Sequence, residues 1–527
     1  MTEKVYARKT SGLVREISLA DALMYNIACM GILFVLVYTT WGLALYPGAH
    51  LPTTALLAIP LGLPLAFCYA FLSASMPRSG GDYIWVSRIL HPAVGFMISF
   101  SLVFMLLVAI GVEPHWCIQY GIYPMLQGLG IAMNNSGLIS LAEAISSPVV
   151  IQILGLAYFI LIGLVIARGV RTAMRIQWIL FAISAIGAFT YIITLLAVGP
   201  TNFKLNFNTL SGMNYDAVIE AARQAGYSTT FTLSATLIGV VYTFLNLIGY
   251  VFSSYVAGEI KEVSKTQLIA TTCSLIMLAL LMFGVYQVTF YTMGAEFTAA
   301  ISYLGVSGDP AYRLPFPEPF PHAMMPYITS NPIPIILVNL GFAVTPLLAG
   351  LAYIFLIVRN IFAWSFDRVV PTALSKVDDR FHSPYVSTIV VIILAMIFQA
   401  LWIYTTVFQF VLYLTTVIFT IYIIVGIAAI IFPYKKKDIF EASPSFVKAK
   451  IRSIPVITII GALTTIISAF IVYATLVPTF GGFLEPYTLA LNLLPFPTAI
   501  AIYAVASLYR KKTGIPLEYA FKEIPPM

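Results

Sequence analysis

The feature that most constrains this chain is a series of long apolar stretches. About twelve of them approach the roughly 20 residues that cross the hydrocarbon core of a bilayer. Only 9% of the residues are charged and 60% are apolar, so a water-soluble fold could not cover this surface, and soluble enzymes, disordered chains and nucleic-acid binders are excluded. We predict an all-α membrane protein with spans at 19–46, 53–75, 93–128, 148–167, 176–198, 231–256, 267–291, 333–358, 385–404, 407–432, 454–477 and 487–509.

The ninth and tenth of these stretches nearly join. Only a short interruption near Ile403 separates them, and merging them would reduce the count to eleven. The third stretch is too long for one perpendicular crossing, which predicts a tilted helix or an extension at its far end.

The distribution of Lys and Arg predicts the orientation. If the chain starts in the cytoplasm, 25 of its 28 basic residues lie in cytoplasmic segments, and only Lys204, Arg223 and Arg313 lie outside. This asymmetry follows the positive-inside rule and favours an even number of spans with both termini cytoplasmic. We therefore expect a multi-pass protein of the plasma membrane. The net charge of +7 then needs no nucleic-acid partner.

Enzymatic chemistry has little support in the spans. The four cysteines lie in apolar stretches without pairing or metal-ligand spacing, which is typical of small buried hydrophobic residues. The spans contain no cluster of His and carboxylates and no Ser–His arrangement. We expect no catalytic residue, metal or cofactor.

Two spans carry a glycine and an amide side chain near their middle. The first contains Asn26–Gly31 and the sixth contains Asn246–Tyr250. Either segment alone is as typical of close helix packing as of a broken helix. Together they occupy the first helix of two successive sets of five, and corresponding interruptions of this kind indicate a transporter built from inverted repeats.

Three segments carry a family resemblance. Met76–Tyr83, followed by Arg88, Pro92 and Gly95, resembles the signature between helices 2 and 3 of amino acid permeases in the amino acid–polyamine–organocation (APC) superfamily. The other two segments are Gly249-Tyr250 with Gly258–Lys261, and the loop after helix 8 in Arg359–Trp364, Asp367–Pro371 and Ser383-Pro384. The resemblance spans residues 15–430 and implies a LeuT-like fold: ten helices in two inverted repeats, with helices 1 and 6 broken, plus two added helices.

The resemblance also divides the chain. We expect a cytoplasmic segment at 1–18, a first repeat at 19–198, an extracellular loop at 199–230, a second repeat at 231–432, a cytoplasmic loop at 433–453, two added helices within 454–509 and a cytoplasmic tail at 510–527.

Some positions depart from the family pattern. A Gly-Ser pair that is common in helix 1 is Cys29-Met30 here, and an acidic residue that often follows the helix 6 pair is Val251. Some proton-coupled relatives have a lysine in helix 5, near the position that Ser184 occupies in this chain. Helix 8 lacks hydroxyls between Pro346 and Val358, so neither a proton-coupling nor a sodium-coupling device is evident.

The predicted site lies at the two breaks. We expect the N–H groups around Cys29–Gly31 to bind a substrate carboxylate and the carbonyls near Phe244–Ile248 to bind its ammonium, because broken helices expose such groups. Residues such as Ile110 and Phe408 would surround the substrate side chain. The predicted substrate-binding residues are Ala28, Cys29, Met30, Gly31, Ile110, Phe244, Asn246, Gly249 and Tyr250. The gating candidates are Tyr25, Phe244, Glu259 and Lys261.

Glu113 is the acidic residue deepest in an apolar run. A lone carboxylate in lipid costs about 2.5–3.5 kcal/mol on insertion scales, so it should face the bundle interior. It is a candidate for proton coupling or for binding a substrate ammonium. The alternative is a residue of the outer vestibule, in contact with water or paired with His115.

The predicted function is secondary transport of amino acids. An apolar pocket favours neutral or hydrophobic substrates, and cationic amino acids or polyamines are the alternative if Glu113 reaches the site. A channel or sensor without coupled transport is a different class, although no filter-like loop is seen. The expected partners are the substrate, the lipid bilayer and a coupling proton, with the oligomeric state left open.

Overall fold

The computed structural model describes residues 13–405, 412–476, 486–513, 517 and 520–521. Within them, twelve helical spans are long and apolar enough to cross a membrane, as predicted. They are helix 1 (Leu19–Leu45), helix 2 (Leu51–Ser75), helix 3 (Pro92–Ala132), helix 4 (Pro148–Ala167), helix 5 (Val170–Leu210), helix 6 (Leu233–Glu259), helix 7 (Val263–Met293), helix 8 (Pro332–Phe366), helix 9 (Tyr385–Tyr404), helix 10 (Leu412–Lys435), helix 11 (Val456–Leu476) and helix 12 (Leu489–Lys512).

Helices 1 and 6 are both interrupted, as predicted. Helix 1 consists of helix 1a (Leu19–Met30) and helix 1b (Phe34–Leu45), with Gly31 between them at a φ of 70° that favours glycine. Helix 6 consists of helix 6a (Leu233–Leu247) followed by a segment of 3₁₀ geometry, helix 6b (Ile248–Glu259). Local 3₁₀ winding of this length marks a departure from regular α-helical bonding.

Helix 1a begins at a capping box. The Ser18 hydroxyl accepts a hydrogen bond from the Asp21 N–H, and the Asp21 carboxylate accepts one from the Ser18 N–H. This arrangement satisfies N–H groups that would lack partners at the start of the helix.

The segment before helix 1a is bonded to the end of helix 6b. The N–H groups of Glu16 and Ile17 both donate to the Glu259 carbonyl, at 3.0 and 2.9 Å, and the Lys261 N–H donates to the Ile17 carbonyl at 3.0 Å. Ile17 and Ile260 thereby form a parallel β-bridge. We call residues 13–18 the N-terminal strap.

Helices 3 and 5 are the longest of the described spans, at 41 residues each. Helix 3 contains a π-helical turn at Trp116–Ile122, two residues after Pro114, and then continues to Ala132. Helix 5 continues past Gly199, where the backbone turns at a φ of 67°, and ends at Leu210. The first part of the predicted 199–230 loop is therefore helical.

The remaining elements lie at the two ends of the bundle. We call the end that carries the N-terminal strap the N-terminal face, and the opposite end the distal face. The short elements are Asp82–Ile89, Ser136–Ile145, Tyr215–Gln224, Ala295–Ser307, Met325–Ile328, a 3₁₀ turn at Thr372–Ser375, Lys437–Ala442, Ser445–Lys448, and the strand pair Lys450–Ile451 and Ile454–Pro455. Helix 12 itself consists of two helical pieces, the end of Pro486–Leu493 and the longer Pro495–Lys512.

The broken helices lie at the centre of the bundle. Helix 1a packs against helices 6b, 7 and 8, while helix 2 packs against helix 7 and helix 8 against helix 5. Helices 10 and 11 pack together, and helices 9 and 12 cover helix 3. Helices 1, 6 and 8 are nearly all buried, whereas helices 4, 5, 9, 11 and 12 are mostly exposed on the outside, where apolar side chains suit lipid.

Candidate functional site

The two helix breaks touch each other. A Cβ atom added to Gly249 would lie 2.4 Å from the Cys29 Cβ and 2.7 Å from its carbonyl carbon. The Asn246 amide donates to the Met30 carbonyl at 2.7 Å and to the Gly31 carbonyl at 3.3 Å. Asn246 therefore ties helix 6a to the end of helix 1a.

The backbone N–H groups without a hydrogen-bond acceptor are not in the predicted segment Cys29–Gly31 but directly after it. The Gly31 N–H already donates to the Ile27 and Ala28 carbonyls, at 3.0 and 3.2 Å, because helix 1a ends with its own helical bonds. Among the described residues, the N–H groups of Ile32 and Leu33 have no hydrogen-bond acceptor, and helix 1b has no side-chain cap. Within the described residues, the N–H groups left without an acceptor are therefore those of Ile32 and Leu33, whereas the Gly31 N–H in the predicted Cys29–Gly31 segment is already bonded.

Two tyrosines that the sequence analysis did not identify bond to the breaks. The Tyr353 hydroxyl on helix 8 donates to the Cys29 carbonyl at 2.5 Å, and the Tyr422 hydroxyl on helix 10 donates to the Ile248 carbonyl at 3.0 Å. Neither residue belongs to a local motif. The one available signal is a polar hydroxyl within an apolar span, which requires a partner when it is buried.

The gating candidate Tyr25 and the predicted substrate-binding residue Tyr250 are both bonded to neighbouring helices. The Tyr25 hydroxyl donates to the Ala352 carbonyl at 2.7 Å, and the Tyr250 hydroxyl donates to the Gly62 carbonyl at 2.9 Å. Both side chains are fully buried. In this conformation their hydroxyls stabilise helix packing instead of facing an open site.

The other predicted pocket residues are buried near the breaks. Phe244 packs edge-on against Phe419, with ring centroids 5.5 Å apart, and Ile110 is fully buried on helix 3. Phe408, predicted to contact the substrate side chain, lies outside the described residues.

Glu113 faces the bundle interior, with 3% of its surface exposed. Its Oε2 has no hydrogen-bond partner among the described residues, and it lies within electrostatic range of Tyr38, Tyr158 and Tyr353. His115 does not pair with it, because that ring packs against Tyr120 and Trp402.

A buried ion pair joins the end of helix 6b to helix 8 at the N-terminal face. The Arg359 Nε and Nη2 donate to the two Glu259 carboxylate oxygens at 2.8 and 2.9 Å, and the side chains are 0% and 1% exposed. The guanidinium also lies 3.6 Å from the centroid of the Phe355 ring. Lys261 is exposed and contributes its backbone N–H to the strap. Of these two gating candidates, Glu259 turns inward to Arg359 on helix 8, and Lys261 forms no ion pair among the described residues.

A second buried pair reinforces the same face. The Arg88 guanidinium donates to both Asp367 carboxylate oxygens at 2.8 and 2.9 Å. The ring of Phe521, near the end of the chain, lies 4.9 Å from that guanidinium. This pair joins the segment between helices 2 and 3 to the one after helix 8.

Asp82 is a buried carboxylate at the start of the short helix Asp82–Ile89, which also carries Arg88. It accepts hydrogen bonds from the Tyr69 hydroxyl at 2.9 Å and the Tyr255 hydroxyl at 2.5 Å. Burial raises the pKa of Asp82 to about 6, although both hydrogen bonds favour the charged form.

No group of three or more His, Cys, Asp or Glu side chains placed to hold a metal ion occurs in the part of the chain that the structure describes.

Two comparisons with known proteins show what the sequence is similar to. A family model described as amino acid permease matches residues 20–494. The chain is also similar to uncharacterized protein 399 of Sulfolobus islandicus rod-shaped virus 1, at 25% identity over 391 residues, which cover 71% of this chain and 82% of the viral protein.

Proposed function

This chain belongs to the amino acid permease family, and from that premise we propose that it carries neutral or hydrophobic amino acids across the plasma membrane by alternating access. Members of this family transport amino acids and are not enzymes. The observation that carries the proposal is the pair of free backbone N–H groups at Ile32 and Leu33, at the start of helix 1b.

These N–H groups suit the carboxylate of an amino acid. They stand at a helix N-terminus, where unpaired donors and the helix dipole both favour an anion. Both residues are buried, so the interaction is little weakened by water. The C-terminal end of helix 6a, near Phe244, offers the opposite end of a helix dipole to the substrate ammonium.

The side chains around the breaks favour an uncharged substrate. Met30, Phe244 and Val251 are buried and apolar, and no ion pair lies among them. Glu113 is the observation that supports the second candidate, a cationic amino acid or a polyamine, because its carboxylate lacks a cationic partner among the described residues.

Alternating access is supported by how the helices are arranged. In two inverted repeats, helices 1–5 correspond to helices 6–10. Helix 2 packs on its counterpart, helix 7, and the contact between helices 5 and 8 has its counterpart in the contact between helices 10 and 3. The ion pairs Glu259–Arg359 and Arg88–Asp367 close the N-terminal face in this conformation. We place that face in the cytoplasm, as the basic residues indicate.

Counterflow in proteoliposomes tests the proposed transport. Vesicles preloaded with unlabelled leucine should take up labelled leucine saturably and faster than empty vesicles. A carrier that delivers labelled leucine to the inside can return to the outside with unlabelled leucine bound, so each cycle exchanges one for the other. Parallel vesicles with lysine or putrescine test the second candidate, and exchange of these but not of leucine would establish it. Flux that neither saturates nor responds to preloading would instead indicate a channel.

Glu113 is the proposed proton site, so Glu113→Gln should remove the response of uptake to a pH gradient. We expect leucine uptake by the wild type to rise when the outside is acidic, and the variant to lose this increase while keeping exchange. The control is Glu143→Gln, a carboxylate that accepts from the Tyr123 hydroxyl in a short helix of the distal face. An unchanged gradient response in E113Q would refute the role of Glu113.

A further inference from the structure

A cavity lies toward the distal face, apart from the helix breaks. Its volume is about 450 Å³, within the range of small-molecule sites. Its lining is rich in aromatic rings and includes one carboxylate. The residues that matter here are Trp41, Trp116, Tyr120, Trp402, His115 and Glu318, and we call this space the distal cavity.

A layer of aromatic rings separates the distal cavity from the breaks. Phe34 is the first residue of helix 1b, and its ring lies 5.0 Å from the Trp116 ring, between centroids. Tyr38 packs against the same indole at 6.2 Å. The lining of the distal cavity therefore does not include the free N–H groups at the start of helix 1b.

The carboxylate of Glu318 is the charged group of the distal cavity. It accepts a hydrogen bond from the Trp41 indole N–H. All lining residues are described, and none of them is Lys or Arg. Nor does any ion pair involve Glu318 in the described part of the chain. Burial raises the pKa of Glu318 to about 7.

The titratable groups around this carboxylate do not supply a cation. Tyr120, Tyr242 and Tyr312 lie within electrostatic range of it. His115 lines the cavity, with its ring edge-on to that of Tyr120. The His322 Nε2–H donates to the Tyr120 carbonyl at 2.7 Å, and burial lowers the pKa of His322 to about 3, so this ring supplies no positive charge.

We propose that the distal cavity is a second binding site, and that its ligand is an organic ammonium ion held by the Glu318 carboxylate among the indole rings of Trp41, Trp116 and Trp402. Aromatic rings attract ammonium groups through their quadrupoles, and a partly buried carboxylate adds a charge-assisted hydrogen bond. A ligand carboxylate finds no cation on the lining. The site therefore prefers a simple amine to the corresponding amino acid, which is the opposite of the preference proposed for the helix breaks.

Tryptophan fluorescence of the purified full-length protein tests this site. Three of the six tryptophans line the cavity, so a bound aromatic amine should change the emission saturably. Phenethylamine and phenylalanine are the probes, because they differ by the carboxylate alone. We expect phenethylamine to bind at least about tenfold more tightly than phenylalanine in this assay, as loss of a favourable charge pairing typically produces such a ratio.

Glu318→Gln should weaken phenethylamine binding by about tenfold or more, because the uncharged amide no longer attracts the ammonium. Glu220→Gln, which changes an exposed carboxylate away from the cavity, should leave it unchanged. Glu318→Asp keeps the charge and should retain part of the affinity, which separates loss of charge from misfolding. Equal phenethylamine affinity in E318Q and the wild type would overturn the proposal, as would equal affinities for the two probes.

A pH series adds an independent readout. With a pKa near 7, Glu318 is mostly neutral at pH 6 and mostly charged at pH 8, so phenethylamine, a cation at both values, should bind more tightly at pH 8. E318Q should show no such rise, and a rise of equal size in the variant would contradict the assignment. Leucine exchange measured on the same preparations reports the proposed function separately, so failure of one experiment does not imply failure of the other.

Discussion

Glu259→Gln should abolish transport and lower the melting temperature strongly. The substitution removes the negative charge from a pair in which Arg359 is fully buried, and its guanidinium would be left without a counterion. Removing one partner of a buried ion pair lowers the free energy of unfolding by about 3–5 kcal/mol, because the other charge stays buried without a counterion. Because the pair closes the N-terminal face, the closed conformation should lose this stability. The measurements are thermal unfolding in detergent and leucine exchange in proteoliposomes.

An exposed pair on the same face provides the matched control. Arg171 and Glu16 are 2.7 Å apart, but their side chains are 69% and 29% exposed. Exposed pairs contribute about 0–1 kcal/mol, so Glu16→Gln should change the melting temperature little. The double variant Glu259→Gln/Arg359→Met removes both charges and should recover much of the stability lost in E259Q. An E259Q protein that melts like the wild type would show that the pair does not hold this face closed.

Gly249→Ala should reduce leucine exchange by about 100-fold, the order of loss that a misplacement of about 1 Å produces at a site of defined geometry. The added Cβ would stand 2.4 Å from the Cys29 Cβ and 2.7 Å from the Cys29 carbonyl carbon. Backbone atoms border the contact, so a side-chain rotation cannot relieve it, and the two breaks must move apart. That movement displaces the N–H groups at the start of helix 1b.

Gly284→Ala is the matched control for this substitution. Gly284 lies within helix 7, and no heavy atom comes within 4 Å of the position of an added Cβ. Alanine there should be neutral or slightly stabilising, since alanine favours a helix over glycine. Combining Gly249→Ala with Cys29→Gly removes the closer of the two contacts and should restore part of the exchange. Full activity of the single G249A variant would mean that the breaks do not need to touch.

The spans and the breaks could be predicted because their signals are local. Apolar length places a helix in the membrane, and Gly31 and Asn246 mark where helices 1 and 6 are interrupted. The sequence resemblance also placed the permease motifs correctly in order, and the family match over residues 20–494 agrees with it.

The contacts that complete the site could not be predicted in the same way, because they join distant parts of the chain. Glu259 and Arg359 are separated by 100 positions, and Tyr353 and Cys29 by 324. The nearer Lys261 was the natural partner on spacing alone, yet it lies on the exposed side of a turn. The donors at Ile32 and Leu33 were missed because the sequence does not show at which residue helix 1a stops bonding to itself.

The N-terminal strap provides an internal reporter of opening. The Ile17 amide of the strap and the Lys261 amide just after helix 6b are held in backbone hydrogen bonds between these two segments, beside the carboxylate that binds Arg359. An opening of this face by alternating access would part these bonds and expose both amides to solvent. Their hydrogen–deuterium exchange rates then measure how often the face opens, in the unlabelled protein and without a substrate analogue.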